Sequence, residues 1–293
     1  MYELIQAGER TYYINCPAKM GIYRTDGNGV YLIDSGNDKE AGKKLLKIIN
    51  ENNWELLAIV NTHSNADHVG GNRLLQERTG CKIISTGIEN AFAQYPVLEP
   101  SFLYGGYPCK ELRNKFLMAE PSAPTGTVET ALPKGLEYIR LGGHFFDMIG
   151  IRTSDNVCFL GDCVFGENII SKYHLSFIYD VREFLNTLDM VEQLECRLFV
   201  PAHAEAAEDI RPLVQVNRDK VYEIIDVLLE ICKTPLCFED ILKEIFDRYS
   251  LNMDFGQYVL VGSTVRSYLS YLHDEKRLDA NFVQNKLLWK TVE

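Results

Sequence analysis

Three side chains able to bind a metal, His63, Asp67 and His68, fall within six residues, directly after the apolar run Leu56-Leu57-Ala58-Ile59-Val60. A short apolar run bounded by polar residues reads as a buried strand, and the residues beyond it, 70–78, as the following helix. A strand-to-helix junction fixes the backbone on both sides, so ligands placed there can converge on one point. The same grammar recurs three times. Leu136-Glu137-Tyr138-Ile139-Arg140-Leu141 runs into Gly142-Gly143-His144, Val157-Cys158-Phe159-Leu160 into Gly161-Asp162, and Leu198-Phe199-Val200 into Pro201-Ala202-His203. A lone histidine is ordinarily a core or surface residue. Four of the chain's six histidines at equivalent strand ends make coincidence a poor explanation.

The candidate ligands are therefore His63, Asp67, His68, His144, Asp162 and His203. Imidazole and carboxylate donors without thiolate suit zinc, iron or manganese. The eight cysteines are scattered, with no Cys-x-x-Cys pair. In a chain of 293 residues that pattern predicts free thiols in a reducing cytoplasm rather than a disulfide framework. The N-terminal residues carry charges and no signal-type apolar stretch, and no run of about 18 apolar residues occurs, so no membrane span is expected. A net charge of −11 argues against general electrostatic binding to nucleic acid or anionic membrane.

Around the ligands, 12–16 and 20–24 read as aromatic-rich strands, with Asp26-Gly27-Asn28-Gly29 as a turn before the strand 30–33 and the loop Asp34-Ser35-Gly36. Apolar residues at helical spacing predict a helix over 38–50. The stretch 95–126 holds five prolines with Phe102, Tyr104, Tyr107 and Phe116 interleaved, which predicts an irregular segment. Such a segment is an aromatic lid, or an excursion whose aromatics pack on the body. Beyond His203 the pattern becomes helical over 210–232, 238–249 and 262–272, and 279–291 reads as a two-stranded wing.

These motifs make the chain resemble the metallo-β-lactamase-fold superfamily of hydrolases over roughly residues 1–210. The resemblance rests on Asp34 after a first sheet, Thr62-His63-x-Asn65-x-Asp67-His68 against the family's H-x-H-x-D-H, and the three later strand ends. It implies an α/β fold, an αββα sandwich with the site at one edge. It further implies one metal position from His63, residue 65 and His144, and a second from Asp67, His68 and His203, with Asp162 bridging both. The departure is Asn65, where the family usually has histidine. An amide oxygen is a weaker zinc ligand than imidazole, so either one zinc sits in the second position or two bind with Asn65 or water completing the first.

The implied chemistry is hydrolysis of an ester, thioester, lactone, amide or phosphodiester in a small-molecule substrate. A metal lowers the pKa of a bound water to about 7, and Asp67 and Asp162 are expected to orient the resulting nucleophile. Two other classes compete. His63, His144 and Asp162 form the two-histidine, one-carboxylate set of non-haem Fe(II) oxygenases, as in persulfide dioxygenases of the superfamily; a degenerate, non-catalytic metal-binding protein is the third.

Residues 211–293 resemble the winged-helix domain appended to some superfamily members. Residues 217–293 carry ten Lys/Arg against thirteen Asp/Glu, so the segment reads as a packing or homodimerisation element ahead of a nucleic-acid reader. The resemblance implies that Asp34 supports the His63 loop; the alternative is a turn-forming aspartate. His174 reads as a general acid, a substrate contact or an exposed loop residue, and Cys163 as a redox-sensitive or a packed thiol. Tyr104, Tyr107, Lys110 and Arg113 read as lid contacts to an anionic substrate or as an ordinary mixed-charge loop. His273 is assigned no role.

Overall fold

A computed structural model describes residues 2–292; Met1 and Glu293, the outer ends of the two expected domains, lie outside the described residues. One sheet runs in chain order through β1 (Glu3–Gln6), β2 (Thr11–Asn15), β3 (Met20–Arg24), β4 (Gly29–Ile33), β5 (Glu55–Val60), β6 (Lys82–Ser85) and β7 (Gly126–Thr127). Its first four strands pair antiparallel, and β4 to β7 pair parallel. The second sheet comprises β8 (Leu136–Arg140), β9 (Ile149–Thr153), β10 (Val157–Phe159) and β11 (Leu198–Val200), in the order β11-β10-β9-β8.

Alternation along each strand decides the layering, because successive side chains leave opposite faces. Tyr23, Ile33, Val60 and Ile84 meet Ile149, Ile151, Phe159 and Val200 of the other sheet. Their neighbours Ile22, Leu32, Ile59 and Ile83 face outward instead, onto Leu45 and Ile49 of α1 (Lys39–Glu51). Two sheets face to face with helices outside give the expected αββα sandwich. Asp38 starts α1 by accepting from the Glu40 and Ala41 N–H groups, a side-chain cap on donors the helix itself leaves free.

The helix expected over 70–78 is α3 (Asn72–Thr79), and a separate short helix, α2 (Ala66–Val69), precedes it with a break between them. The break falls at Gly70, where a Cβ would lie 2.3 Å from the Asn37 backbone, so only glycine allows the loop after β4 to pass that closely. The stretch 95–126 is also more regular than its prolines suggest. After α4 (Gly87–Gln94) it forms α5 (Leu98–Tyr104) and a 3₁₀ turn over Lys110–Leu112. Pro100 is the third residue of α5, inside the first turn, where its missing N–H has no carbonyl to meet. Leu103, Leu112 and Leu117 of this segment pack with Val259 from the far end of the chain. Phe102 meets Phe146 and Tyr179 edge-on, while Tyr107 and Phe116 remain 73% and 75% exposed.

Helices α6 (Val128–Ala131), α7 (Glu167–Tyr173) and α8 (Val181–Glu192) complete the sandwich, and α9 (Arg211–Ile231), α10 (Phe238–Arg248) and α11 (Phe255–Asp274) follow. The last helix begins seven residues before the expected start at 262. Two glycines (Gly256 and Gly262) weaken its helical pattern, while Asp254 caps it by accepting from the Gln257 N–H. Short β12 (Leu236–Cys237) joins β13 (Leu278–Val283) and β14 (Lys286–Thr291) in a three-stranded sheet of order β12-β14-β13. Ile224, Leu228, Ile241, Val265 and Leu269 share one apolar cluster with Phe184, Leu188 and Phe199, so these elements close over the second sheet's helical layer. No helix of the described residues is long and apolar enough to cross a membrane.

Candidate metal centre

All the predicted strand-end residues meet at one edge of the sandwich. His63 follows β5, Asp67 and His68 lie in α2, His144 sits between β8 and β9, Asp162 follows β10 and His203 follows β11. Their ligand atoms fall into two groups, His63 with His144 and Asp162, and Asp67 with His68 and His203, each spanning no more than 4.8 Å. Asp162 reaches both. Its Oδ1 is 3.1 Å from His68 Nε2, and its Oδ2 is 3.2 Å from His203 Nε2 and 3.7 Å from His144 Nε2. Asp67 Oδ2 is also 3.2 Å from His203 Nε2, and the Asp67 side chain keeps 41% of its surface exposed, the open side of the cluster.

Hydrogen bonding on the far side of each ring fixes which nitrogen points inward. Carbonyl oxygens only accept, so His144 Nδ1 donates to Phe177 O (2.9 Å) and His203 Nδ1 to Pro17 O (3.0 Å). His68 Nδ1 donates to Asp34 Oδ2 at 2.8 Å. Thr62 Oγ1 spends its proton on Asp34 Oδ2, which leaves it to accept from His63 Nδ1 at 3.0 Å. All four histidines thus turn Nε2 inward. His63 Nε2, His68 Nε2 and Asp162 Oδ1 are buried without an aligned hydrogen bond among the described residues, close as the last two are. Buried polar atoms left unpaired are costly. Lone pairs converging with carboxylates are what a pair of cations would satisfy, so the donor set fits a metal centre.

Asp34 is the common support that the resemblance implies. It accepts from the Thr62 N–H, the Thr62 hydroxyl and His68 Nδ1, all at 2.8 Å, and its backbone is held at φ 63°, a conformation that non-glycine residues adopt at a cost. In the metal-free chain, burial and then the neighbouring His68 hold the His63 pKa well below its usual range. Burial likewise lowers that of His144. Burial also opposes protonation of His68 and His203, but Asp162 leads the carboxylates that outweigh it. They raise His68 well above its usual value and push His203 up to about 10. A field this negative favours any cation that enters.

Two buried glutamates that the sequence reading passed over complete the support. Glu89 of α4, fully buried, accepts from the Ser64 N–H and hydroxyl through Oε2 and from the Asp147 N–H through Oε1, tying the His63 loop to the His144 loop. Glu99 of α5, 6% exposed, accepts from Asn65 Nδ2 through Oε1 at 2.9 Å. The signal available was a charged residue inside an apolar helical stretch, beside Ile88 and Phe92 in one case and Leu98 in the other.

Burial pushes Glu89 up from 4.5 to about 7 against the pull of its three donors. Because the folded-state value is the higher one, this carboxyl's contribution to stability is complete below pH 4.5 and lost as pH rises through about 7. Glu89→Gln cannot titrate, so its stability relative to the wild type should improve by about 3 kcal/mol across that window. Thermal melts of both proteins from pH 4 to pH 8 measure the difference; a pH-independent difference would contradict it.

The other singled-out residues lie outside the two groups. His174 ends α7 and stacks on Tyr249 with ring centroids 4.8 Å apart. Cys163 is fully buried, and burial raises its thiol pKa far above the usual value, as for a packed thiol. Arg113 donates to the Tyr107 hydroxyl at 2.9 Å, and Tyr104 lines a groove of about 530 Å³ with Tyr179, Arg266 and Tyr271. His273 Nδ1 donates to Leu278 O.

The family model described as the metallo-beta-lactamase superfamily matches residues 15–203. Among solved structures, a beta-lactamase domain protein from Burkholderia ambifaria aligns with a TM-score of 0.75 at 14% identity, covering 99% of this chain and 94% of its own. A metallo-beta-lactamase family protein from Thermus thermophilus aligns at 0.72 and 15%, over 97% and 99%. A metallo-beta-lactamase from Pontibacter korlensis aligns at 0.56 and 16%, over 76% of this chain and 99% of its own. Identities this low establish a shared fold. For the first two structures it extends through the C-terminal elements.

Proposed function

The chain belongs to the metallo-beta-lactamase superfamily, and from that premise we propose that it is a metal-dependent hydrolase of a small-molecule ester, thioester, lactone or phosphodiester. Membership and the paired His/Asp groups support metal-dependent hydrolytic chemistry in general. The observation that carries the finer reading is Asp162, a carboxylate of the first group whose oxygens also approach both histidines of the second. In this reading His63, Asn65 and His144 hold one cation, Asp67, His68 and His203 hold a second, and Asp162 serves both. Zinc is the first choice and manganese or iron the alternatives. Bound there, the cations would supply Lewis acidity, activating water and polarising the scissile carbonyl or phosphoryl group.

The protein's own groups do the rest. Asp162, buried and shared, holds the attacking oxygen between the two halves of the site. Asp67, on the open side, accepts a hydrogen bond from that oxygen and orients it towards the substrate. Phe145 and Phe177 pack around His63 and His144 and keep bulk water from the first group. The two-histidine, one-carboxylate iron chemistry would use only the first group and leaves Asp67, His68 and His203 without a purpose.

Metal analysis of protein purified without added metal, followed by a screen of esters, thioesters, lactones and phosphodiesters with and without zinc or manganese, tests the proposal. We expect bound metal and turnover that a chelator removes and metal restores. Protein with no metal and no metal-dependent turnover would sink it. One equivalent of iron with oxygen uptake would replace it with the iron oxidoreductase.

A further inference from the structure

Asn65 stands where an imidazole would otherwise complete the first group, and its surroundings decide which of its two amide atoms can serve. Its Oδ1 lies 3.1 Å from His144 Nε2. His144 donates through Nδ1 to Phe177 O, so the neutral ring carries its lone pair on Nε2. An amide oxygen and an imidazole lone pair are both acceptors and cannot bond to each other. The rotation that would relieve them swings Nδ2 inward to donate to His144 Nε2. That arrangement satisfies both side chains without a cation and removes the oxygen from the metal position. Glu99 opposes this rotation, because its buried Oε1 takes the Nδ2 hydrogen at 2.9 Å from the opposite side.

We propose that Glu99 is a positioning residue that locks the Asn65 amide with Oδ1 facing the first metal position, so that asparagine can act there as an oxygen ligand. This rests on the metal-centre reading above. It also makes the two positions unequal by construction: the first has two imidazoles with amide and carboxylate oxygens, and the second keeps two imidazoles with two carboxylates. The orienting carboxylate comes from α5, inside the proline-rich segment 95–126, so the order of that segment and occupancy of the first position are linked through one hydrogen bond.

Cobalt(II) titration of metal-free protein, read by calorimetry and by visible absorption, tests this without any substrate. Wild type should bind two cobalt ions per chain. Glu99→Met keeps the side chain's bulk but not its acceptor. It should leave one ion bound with unchanged affinity and weaken the other about 10-fold or more, the usual range for losing a ligand-orienting partner. Combining Asn65→Asp with Glu99→Met should restore the weakened position, since a carboxylate presents an oxygen whichever way it turns. Equal affinities in wild type and Glu99→Met overturn the proposal, as does a double variant no tighter than Glu99→Met alone, which would indicate a general disturbance of the lid. If Glu99→Met does not fold, a diffraction structure of cobalt-loaded wild type decides. Asn65 Oδ1 in the ligand set with Nδ2 on Glu99 supports the lock, and an Asn65 side chain turned away from the ion overturns it. Wild type that binds no cobalt would instead refute the metal-centre reading itself.

Discussion

Asp162→Ala should strip metal from both positions and lower hydrolysis by about 10³-fold or more, the loss of several kcal/mol of charge stabilisation at about 1.4 kcal/mol per decade. The reason is positional. Among the described residues, Asp162 is the one side chain whose two oxygens approach histidines of both groups, His68 through Oδ1 and His203 and His144 through Oδ2. Removing it takes a charge from each group at once, leaving the first group with no carboxylate and the second with Asp67 alone. Asp67→Ala is the matched control. Asp67 belongs to the second group only, so that variant should keep metal in the first position and lose it from the second. Metal-to-protein ratios by mass spectrometry, together with kcat on the best substrate of the screen, separate the two variants. An Asp162→Ala protein that keeps its full metal complement, or whose kcat stays within tenfold of wild type, would show that the carboxylate is not shared.

The residues of the two His/Asp groups were legible in the sequence because each carries two independent signals, a metal-capable side chain and a place at or just beyond the end of an apolar run. The support that Asp34 gives was legible only through the family resemblance. Glu89 and Glu99 were not, and the cause is physical. Each acts through a hydrogen bond to a residue 25 or 34 positions away, so its purpose exists only once α4 and α5 have folded over the His63 loop. What their sequence shows is a buried-type charge without a visible partner. The prolines misled in the other direction. Their density implies irregular chain, but Pro100 falls in the first turn of α5, the one part of a helix that tolerates it, and so the helix that carries Glu99 forms. His174 shows the limit of proximity in sequence: it lies 12 residues after Asp162 and packs instead on Tyr249 of the C-terminal helices.

Gly143→Ala should cost about 4 kcal/mol or more, combining the strain of a left-handed backbone with a steric overlap that cannot relax. At a protein of this size that corresponds to a fall in Tm of about 7 °C or more. Gly143 has φ +104°, and a Cβ on it would lie 2.2 Å from Phe184 N and 2.4 Å from Phe184 Cα, backbone atoms of α8 that no rotamer change can move. The same turn is tied down by its carbonyl, which accepts from the Tyr179 and Asp180 N–H groups just ahead of that helix. His144 is the next residue, so any backbone shift that accommodates the methyl group also moves an imidazole of the proposed first metal position. Gly142 makes the comparison internal to the motif. A Cβ there would meet nothing closer than Glu183 Cβ at 3.7 Å, ordinary van der Waals contact. Gly142→Ala should therefore melt within about 2 °C of wild type and keep its metal, within the ±0.5 kcal/mol typical of unobstructed substitutions. Gly143→Ala should melt far lower and lose first-position metal even where it still folds. If the two variants melt alike, the Gly143-His144 turn is not held against α8 in the way that sets His144 in place.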